Sequence, residues 1–364
     1  ILLGQVDMNT AKQIAIFIRW RDWGPGKLTL LWVVCLYLAV AYEIRFEEFV
    51  SIFVIFLCFA AAQAALGYVL NDWGDRDLDR RQFKRNAFSG RTRLESILAL
   101  LLIMIMALVA GAPLLLRRGF GLLWFAWALS AAAYSLSPMR LKTRGLVGLV
   151  AASIAQWLLP VLITFAAFEV AGGEDMWLIA LGLTASGAAL ELGRQRFNRD
   201  RNLLTNTGTY AASLSFGQLQ KRYALALALD KLAVILVGLV FLSALEISWT
   251  MWSQVFVTVL GALYLLALMY SLVGLWQALR QGRLGESGSS AGETRQVFMH
   301  GMNNMLLTLA IPIALGGMAT LRIPAYALVL GFYLLWWVGL VGIGLNSWPP
   351  LFVSISKAGR GRRR

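Results

Sequence analysis

Residues 71–91 read NDWGDRDLDRRQFKRNAFSGR and follow directly on an apolar run at 49–70. On a helix that turns about 100° per residue, Asn71, Asp72, Asp75 and Asp79 fall on one face, and Asp77 points elsewhere. Three carboxylates and an amide on one face repel one another unless a cation sits among them. Hard oxygen ligands beside a water-filled cavity suit Mg²⁺, and Mg²⁺ usually brings a phosphate with it. Beyond the acids come Lys84, Arg85 and Arg91. Ammonium and guanidinium groups behind a metal-binding face are what a diphosphate requires. A solvated loop of mixed charge would account for the composition. It would not account for the one-face spacing at the end of an apolar helix.

A second segment, AYSLSPMRLKTRG at 133–145, also ends an apolar run, and Pro138 stops its helix. Arg140, Lys142 and Arg144 alternate, so an extended loop would aim all three the same way. Ordinary charge anchoring beside a membrane explains them equally well, and Tyr134 reads equally as an interfacial aromatic.

These segments must be held by membrane helices. The 364 residues are 59% hydrophobic, with a mean hydropathy of +0.68. Long apolar stretches recur throughout, which points to an all-α polytopic membrane protein. Ten apolar segments lie at about 28–43, 49–71, 94–116, 119–135, 146–169, 176–192, 223–245, 251–277, 301–320 and 324–346. With the N-terminus inside, the inner loops and the C-terminal tail hold 28 of the 33 Lys and Arg residues. That asymmetry places the acidic motif on the cytoplasmic side, and bacterial inner membrane is the expected location. It also explains the net charge of +14 without nucleic acid, and the tail KAGRGRRR reads as a segment drawn to anionic lipid.

Other features carry less. Cys35 and Cys58 lie in apolar runs and imply neither disulfide nor metal framework. Residues 282–294 are rich in Gly and Ser and read as a linker. His300, alone of its kind, reads as a surface residue. Asp230 and Lys231 form a self-neutralising pair within a span. Arg19, Trp23 and Lys27 precede the first span and read best as interfacial anchors. The opening residues lack a signal-peptide pattern, and without an initiating Met a trimmed N-terminus is expected.

The patterns N-D-x-x-D-x-x-x-D, K-R-N-x-x-S-G-R and Y-S-x-x-P-x-R-L-K-x-R-G, in this order after the second and fourth spans, resemble the UbiA-type membrane prenyltransferase superfamily. The resemblance covers about 19–222. It implies one transmembrane domain, a bundle of nine to ten helices around a central cavity open to the cytoplasmic side. The helices of 223–346 complete that domain, and a basic tail follows at 347–364. It also implies that Mg²⁺ holds a prenyl diphosphate whose isoprenyl group passes to a lipophilic, aromatic acceptor. Asp72, Asp75 and Asp79 would be catalytic and, with Asn71, ligate metal. Lys84, Arg85, Arg91, Tyr134, Lys142, Arg144 and Arg194 would contact diphosphate.

The family's second acidic motif, expected after span six, is altered here to ELGRQRFNRDRNLLTNTGTY at 191–210. In one register Arg196 and Asp200 take the two Asp positions. In the other, Glu191 starts the series, with Gln195 and Asn198 on its helical face. Neither keeps a full carboxylate pair, so Glu191, Asn198 and Asp200 are the candidate ligands of this half. The alteration leaves room for a terpene cyclase, a polyprenyl-phosphate phosphoribosyltransferase or a non-catalytic lipid-binding protein. An extra C-terminal helix would cover the cavity's lateral opening or contact another copy.

Overall fold

The computed structural model describes residues 8–81, 86–170, 172–245, 251–280, 303 and 306–344. Lys84, Arg85, the 282–294 linker, His300 and the basic tail lie outside the described residues. Among those described, the chain is all-helical, and its one β-bridge joins Gly145 to Thr209. After a short α1 (Met8–Phe17) come α2 (Trp20–Ala41), α3 (Phe46–Arg81), α4 (Arg93–Leu114), α5 (Phe120–Ser135), α6 (Gly145–Ala167) and α7 (Glu174–Phe197). The short α8 (Arg199–Leu204) and α9 (Tyr210–Ser213) lead to α10 (Phe216–Ser243), α11 (Met251–Arg280), α12 (Leu306–Arg322) and α13 (Tyr326–Gly344).

Six of these helices (α2, α3, α4, α6, α7 and α10) are long and apolar enough to cross a membrane, and the other four apolar segments hold shorter apolar helices. α3 has 36 residues, about 54 Å at 1.5 Å per residue, against a hydrocarbon core of about 30 Å. Its last turns therefore project past the apolar layer, and they carry the acidic motif. α2 is apolar all round, with Val33, Val34, Cys35, Leu36 and Leu38 fully buried, as a helix at the centre of a bundle must be. α4 instead exposes Leu98, Leu102, Ile105, Met106 and Val109, a face suited to lipid.

α4 begins with a complete capping box. The Glu95 amide donates to Thr92 Oγ1 at 3.3 Å, and the Thr92 amide donates to Glu95 Oε2 at 2.7 Å. Thr92→Ala is expected to cost about 0.5–2 kcal/mol, read as a lower thermal midpoint in detergent. An unchanged midpoint would show that lipid-facing packing, not the cap, sets the start of this helix.

The last two helices are tied to α2 and the turn after it. Arg322, at the end of α12, donates to the Val40 carbonyl at 2.9 Å, Tyr326 to the Ile44 carbonyl at 2.8 Å, and Trp336 Nε1 to Thr29 Oγ1 at 2.9 Å. Among the described residues, none of α13 lines the central cavity.

Candidate active site

The four motif residues at the end of α3 do not converge on one point. At about 100° per residue, Asn71 and Asp75 lie about 40° apart, Asp79 and Asp72 about 20° apart. The shared face is wide enough to serve two neighbours. Asn71 and Asp75 meet the loop after α5. Asp72 and Asp79 meet the loop before α4.

On the first side, Lys142 Nζ donates to Asn71 Oδ1 at 2.9 Å and lies 2.7 Å from Asp75 Oδ1, while Arg140 Nη2 donates to Asp75 Oδ1 at 2.8 Å. Burial pushes the Lys142 ammonium below the usual lysine range, and Asp75 pulls it part of the way back. Gly74 makes this contact possible: a Cβ there would lie 2.3 Å from the Ser135 carbonyl oxygen at the end of α5. Arg140 has φ 37°, a left-handed conformation that costs a non-glycine residue free energy and commonly marks a functional position.

On the second side, Asp72 is 1% exposed and accepts from Arg19 Nη1 at 2.8 Å and from the Ala87 amide at 2.9 Å. Asn86 Nδ2 donates to both the Asp72 carbonyl and Asp79 Oδ2. Arg19 also lies in the left-handed region, with φ 56°. Its burial works against the charge, but Asp22 and Asp72 more than offset it, so its pKa is raised. Asp72 thus fastens the loop that follows its own helix. Arg91 stacks over the Phe17 ring at 4.6 Å, and its carbonyl accepts from Arg76. Arg144 donates to the Pro138 carbonyl of its own loop. Neither Arg91 nor Arg144 lines the cavity.

At the second motif the structure selects the Glu191 register. Glu191 and Gln195 are both buried. Arg194 grips Glu191 with Nε to Oε2 at 2.9 Å and Nη2 to Oε1 at 3.0 Å, and Gln195 Nε2 donates to Oε1 at 3.1 Å. Arg196 packs over the Tyr223 ring. The Asp200 side chain is 96% exposed, and Asn198 donates to the Arg194 carbonyl at the end of α7. Asn198 and Asp200 are therefore not brought to the cavity.

Asn71 of the first motif and Arg194 of the second line one cavity; Asp72, Asp75, Asp79, Arg140, Lys142 and Glu191 stand behind that lining. Its polar lining also includes Arg19, Lys27, Gln63, Tyr68, Tyr134 and Gln156, and its apolar lining includes Leu31, Ala60, Ala64, Gly67, Trp127, Val161 and Leu183. Tyr134 lines this cavity together with Asn71 and Arg194. The small residues Ala60, Ala64 and Gly67 of α3 face this cavity. The loops are joined as well: the Gly145 amide donates to the Gly208 carbonyl at 2.9 Å, and a Cβ on Gly208 would sit 2.5 Å from the Thr143 carbonyl oxygen.

Lys27, Gln156 and Trp157 are cavity residues that sequence reasoning either discounted or missed. Lys27 Nζ donates to Gln156 Oε1 at 2.7 Å and sits 4.9 Å from the Tyr68 ring centre. Lys27 comes from a π-helical turn in α2 (Gly24–Leu28), and Gln156 and Trp157 from another in α6 (Ile154–Leu158). Such turns often occur at functional sites because they re-aim side chains. The available signal was a glutamine inside an apolar span, which needs a polar partner.

Among the described residues, no three His, Cys, Asp or Glu side chains group as metal ligands. The first motif nevertheless has donor chemistry suited to a hard cation: Asn71 Oδ1 and Asp75 Oδ1 already share the Lys142 ammonium, and the charge of Asp79 reaches it. Mg²⁺ fits there. The second motif does not fit a divalent ion: it offers a single buried carboxylate with both oxygens engaged by Arg194, where the first motif has three carboxylates.

The sequence model of the UbiA prenyltransferase family matches residues 30–302. The chain belongs to this family. Among solved structures, a UbiA homolog from Archaeoglobus fulgidus bound to DMAPP and Mg²⁺ is similar in fold, with a TM-score of 0.51 and 15% identity over 82% of this chain and 98% of that one. No curated protein matches the sequence. UbiA membership accounts for the all-helical membrane bundle and for the motif order along the chain.

Proposed function

We propose that this protein is a Mg²⁺-dependent intramembrane prenyltransferase. It would move an isoprenyl group from a prenyl diphosphate to a lipophilic, aromatic acceptor. One observation carries the reading: oxygen donors at Asn71 and Asp75, joined by Lys142, adjoin a largely apolar cavity whose lining also carries the cations Arg19, Lys27 and Arg194. The UbiA homolog bound to DMAPP and Mg²⁺ supports it. The concentration of Lys and Arg in loops on that side supports a cytoplasmic opening, and a bacterial inner membrane is the location that goes with this reading.

Asn71 and Asp75 would hold the metal, with Asp79 beside them. When bound, the metal neutralises the diphosphate so that it becomes a competent leaving group. Lys142 and Arg140 donate to phosphate oxygens as charge develops. The C1–O bond of the donor breaks, and its electron pair leaves with the diphosphate. The acceptor's nucleophilic atom bonds to C1 and then loses a proton. The faces of Tyr68, Tyr134, Trp127 and Trp157 favour an allylic cation over water, and the apolar depth keeps solvent from quenching it.

Purified protein with Mg²⁺ and prenyl diphosphates of graded length is expected to release diphosphate. Mass spectrometry of mixtures with aromatic acceptors is expected to show prenylated products. No release with any donor would overturn the reading. Hydrocarbon or alcohol formed without acceptor would replace transfer by cyclisation.

A further inference from the structure

We infer that the second half of this diphosphate site takes no metal, and that the guanidinium of Arg194, held by Glu191 and Gln195, supplies the positive charge instead. The inference rests on the prenyl-diphosphate reading and concerns how that site is built. A divalent cation needs anionic ligands with free lone pairs. Here the position four residues after Glu191 is the neutral Gln195, and both Glu191 oxygens accept from Arg194 while Oε1 also accepts from Gln195. Glu191 and Arg194 together carry no net charge, and Asp200, the other carboxylate of this half, is 96% exposed, so Glu191 has no carboxylate partner with which to chelate Mg²⁺.

The same arrangement prepares Arg194 for an anion. Its Nε and Nη2 are committed to Glu191, and none of its hydrogen bonds or ion pairs to the described residues uses Nη1. The side chain is 55% exposed and lines the cavity that Asn71 also lines. A guanidinium fixed on one edge presents its remaining N–H donors in a set direction, which suits a phosphate oxygen. Gln195 accepts from the Ala211 amide at 3.4 Å, which holds the amide in place. Glu191 and Gln195 are positioning residues; Arg194 is the group that touches the donor.

The test counts metal. Full-length protein in detergent is titrated with Mn²⁺ in the presence of inorganic pyrophosphate, and bound Mn²⁺ is read by electron paramagnetic resonance. One Mn²⁺ per chain is expected. Asp75→Asn should lose it. Arg194→Ala should keep it and weaken pyrophosphate binding by about 10- to 100-fold, and Arg194→Lys should recover part of that loss. The double variant Arg194→Ala, Gln195→Asp restores two free carboxylates and should bind a second Mn²⁺, an outcome that a purely structural role for Arg194 would not produce. Two Mn²⁺ in the wild type would overturn the inference and leave the prenyl-diphosphate reading standing. Failure to bind pyrophosphate with any amount of Mn²⁺ would overturn both.

Discussion

Asp75→Asn is expected to lower diphosphate release by about 10²- to 10³-fold, the usual loss when one element of preorganised charge is removed, while thermal stability changes little. Arg140, one of the two partners of Asp75, is 34% exposed and can turn to water, and an asparagine carbonyl still accepts from the more buried Lys142. Asp72→Asn should behave in the opposite way. Its carboxylate is 1% exposed and accepts from Arg19 and the Ala87 amide, so one amide –NH₂ would be turned against a donor. That is expected to cost about 1–3 kcal/mol of stability and to loosen the 86–91 loop. Both variants are assayed for activity and thermal midpoint in one detergent. Loss of activity in Asp72→Asn at full stability, or normal activity in Asp75→Asn, would reverse the roles assigned to the two carboxylates.

Gly74→Ala is expected to reduce activity by about 10²-fold, the penalty for a displacement of about 1 Å among reacting groups. In an ordinary helix interior the same change stabilises by about 0.5–1 kcal/mol. At position 74 the new methyl would lie 2.3 Å from the Ser135 carbonyl oxygen. That atom is backbone and cannot rotate away, so α3 must shift from the end of α5 and overpacking costs about 1–3 kcal/mol. The sign of the stability change is the decisive measurement. A stabilised and active Gly74→Ala protein would mean that the α3–α5 contact does not set the spacing between Asp75 and the Arg140–Lys142 loop. Circular dichroism should show unchanged helix content in either case.

Hydropathy made the helices legible, because a membrane forces backbone polar groups into them. Among the described residues each of the ten apolar segments contains a helix, although α2 begins at Trp20, well before the expected 28. The reason is the Gly24–Pro25–Gly26 sequence: it reads as a break, yet it forms a π-helical turn that continues the helix. Helical periodicity placed Asn71, Asp72, Asp75 and Asp79 on one face, and it was correct as far as it went. What it lacked was the width of that face and the two loops competing for it, which tertiary packing alone decides. Arg140 was passed over in favour of Arg144 because alternation along an extended loop treats them alike. The left-handed turn at Arg140 breaks that symmetry. The choice between the Glu191 and Arg196 registers likewise depended on which face of α7 meets Tyr134 and the Ala211 amide.

Every described residue lining the central cavity falls between Arg19 and Arg194. The cavity is thus written in the N-terminal part of the chain, and none of its described lining comes from the helices after α7. For anyone reshaping it, this shrinks the search. A mutant library confined to Arg19 and the inner faces of α2, α3, α5, α6 and α7 samples the whole cavity lining among the described residues. Changes in α10 to α13 can then be reserved for robustness in a chosen host membrane.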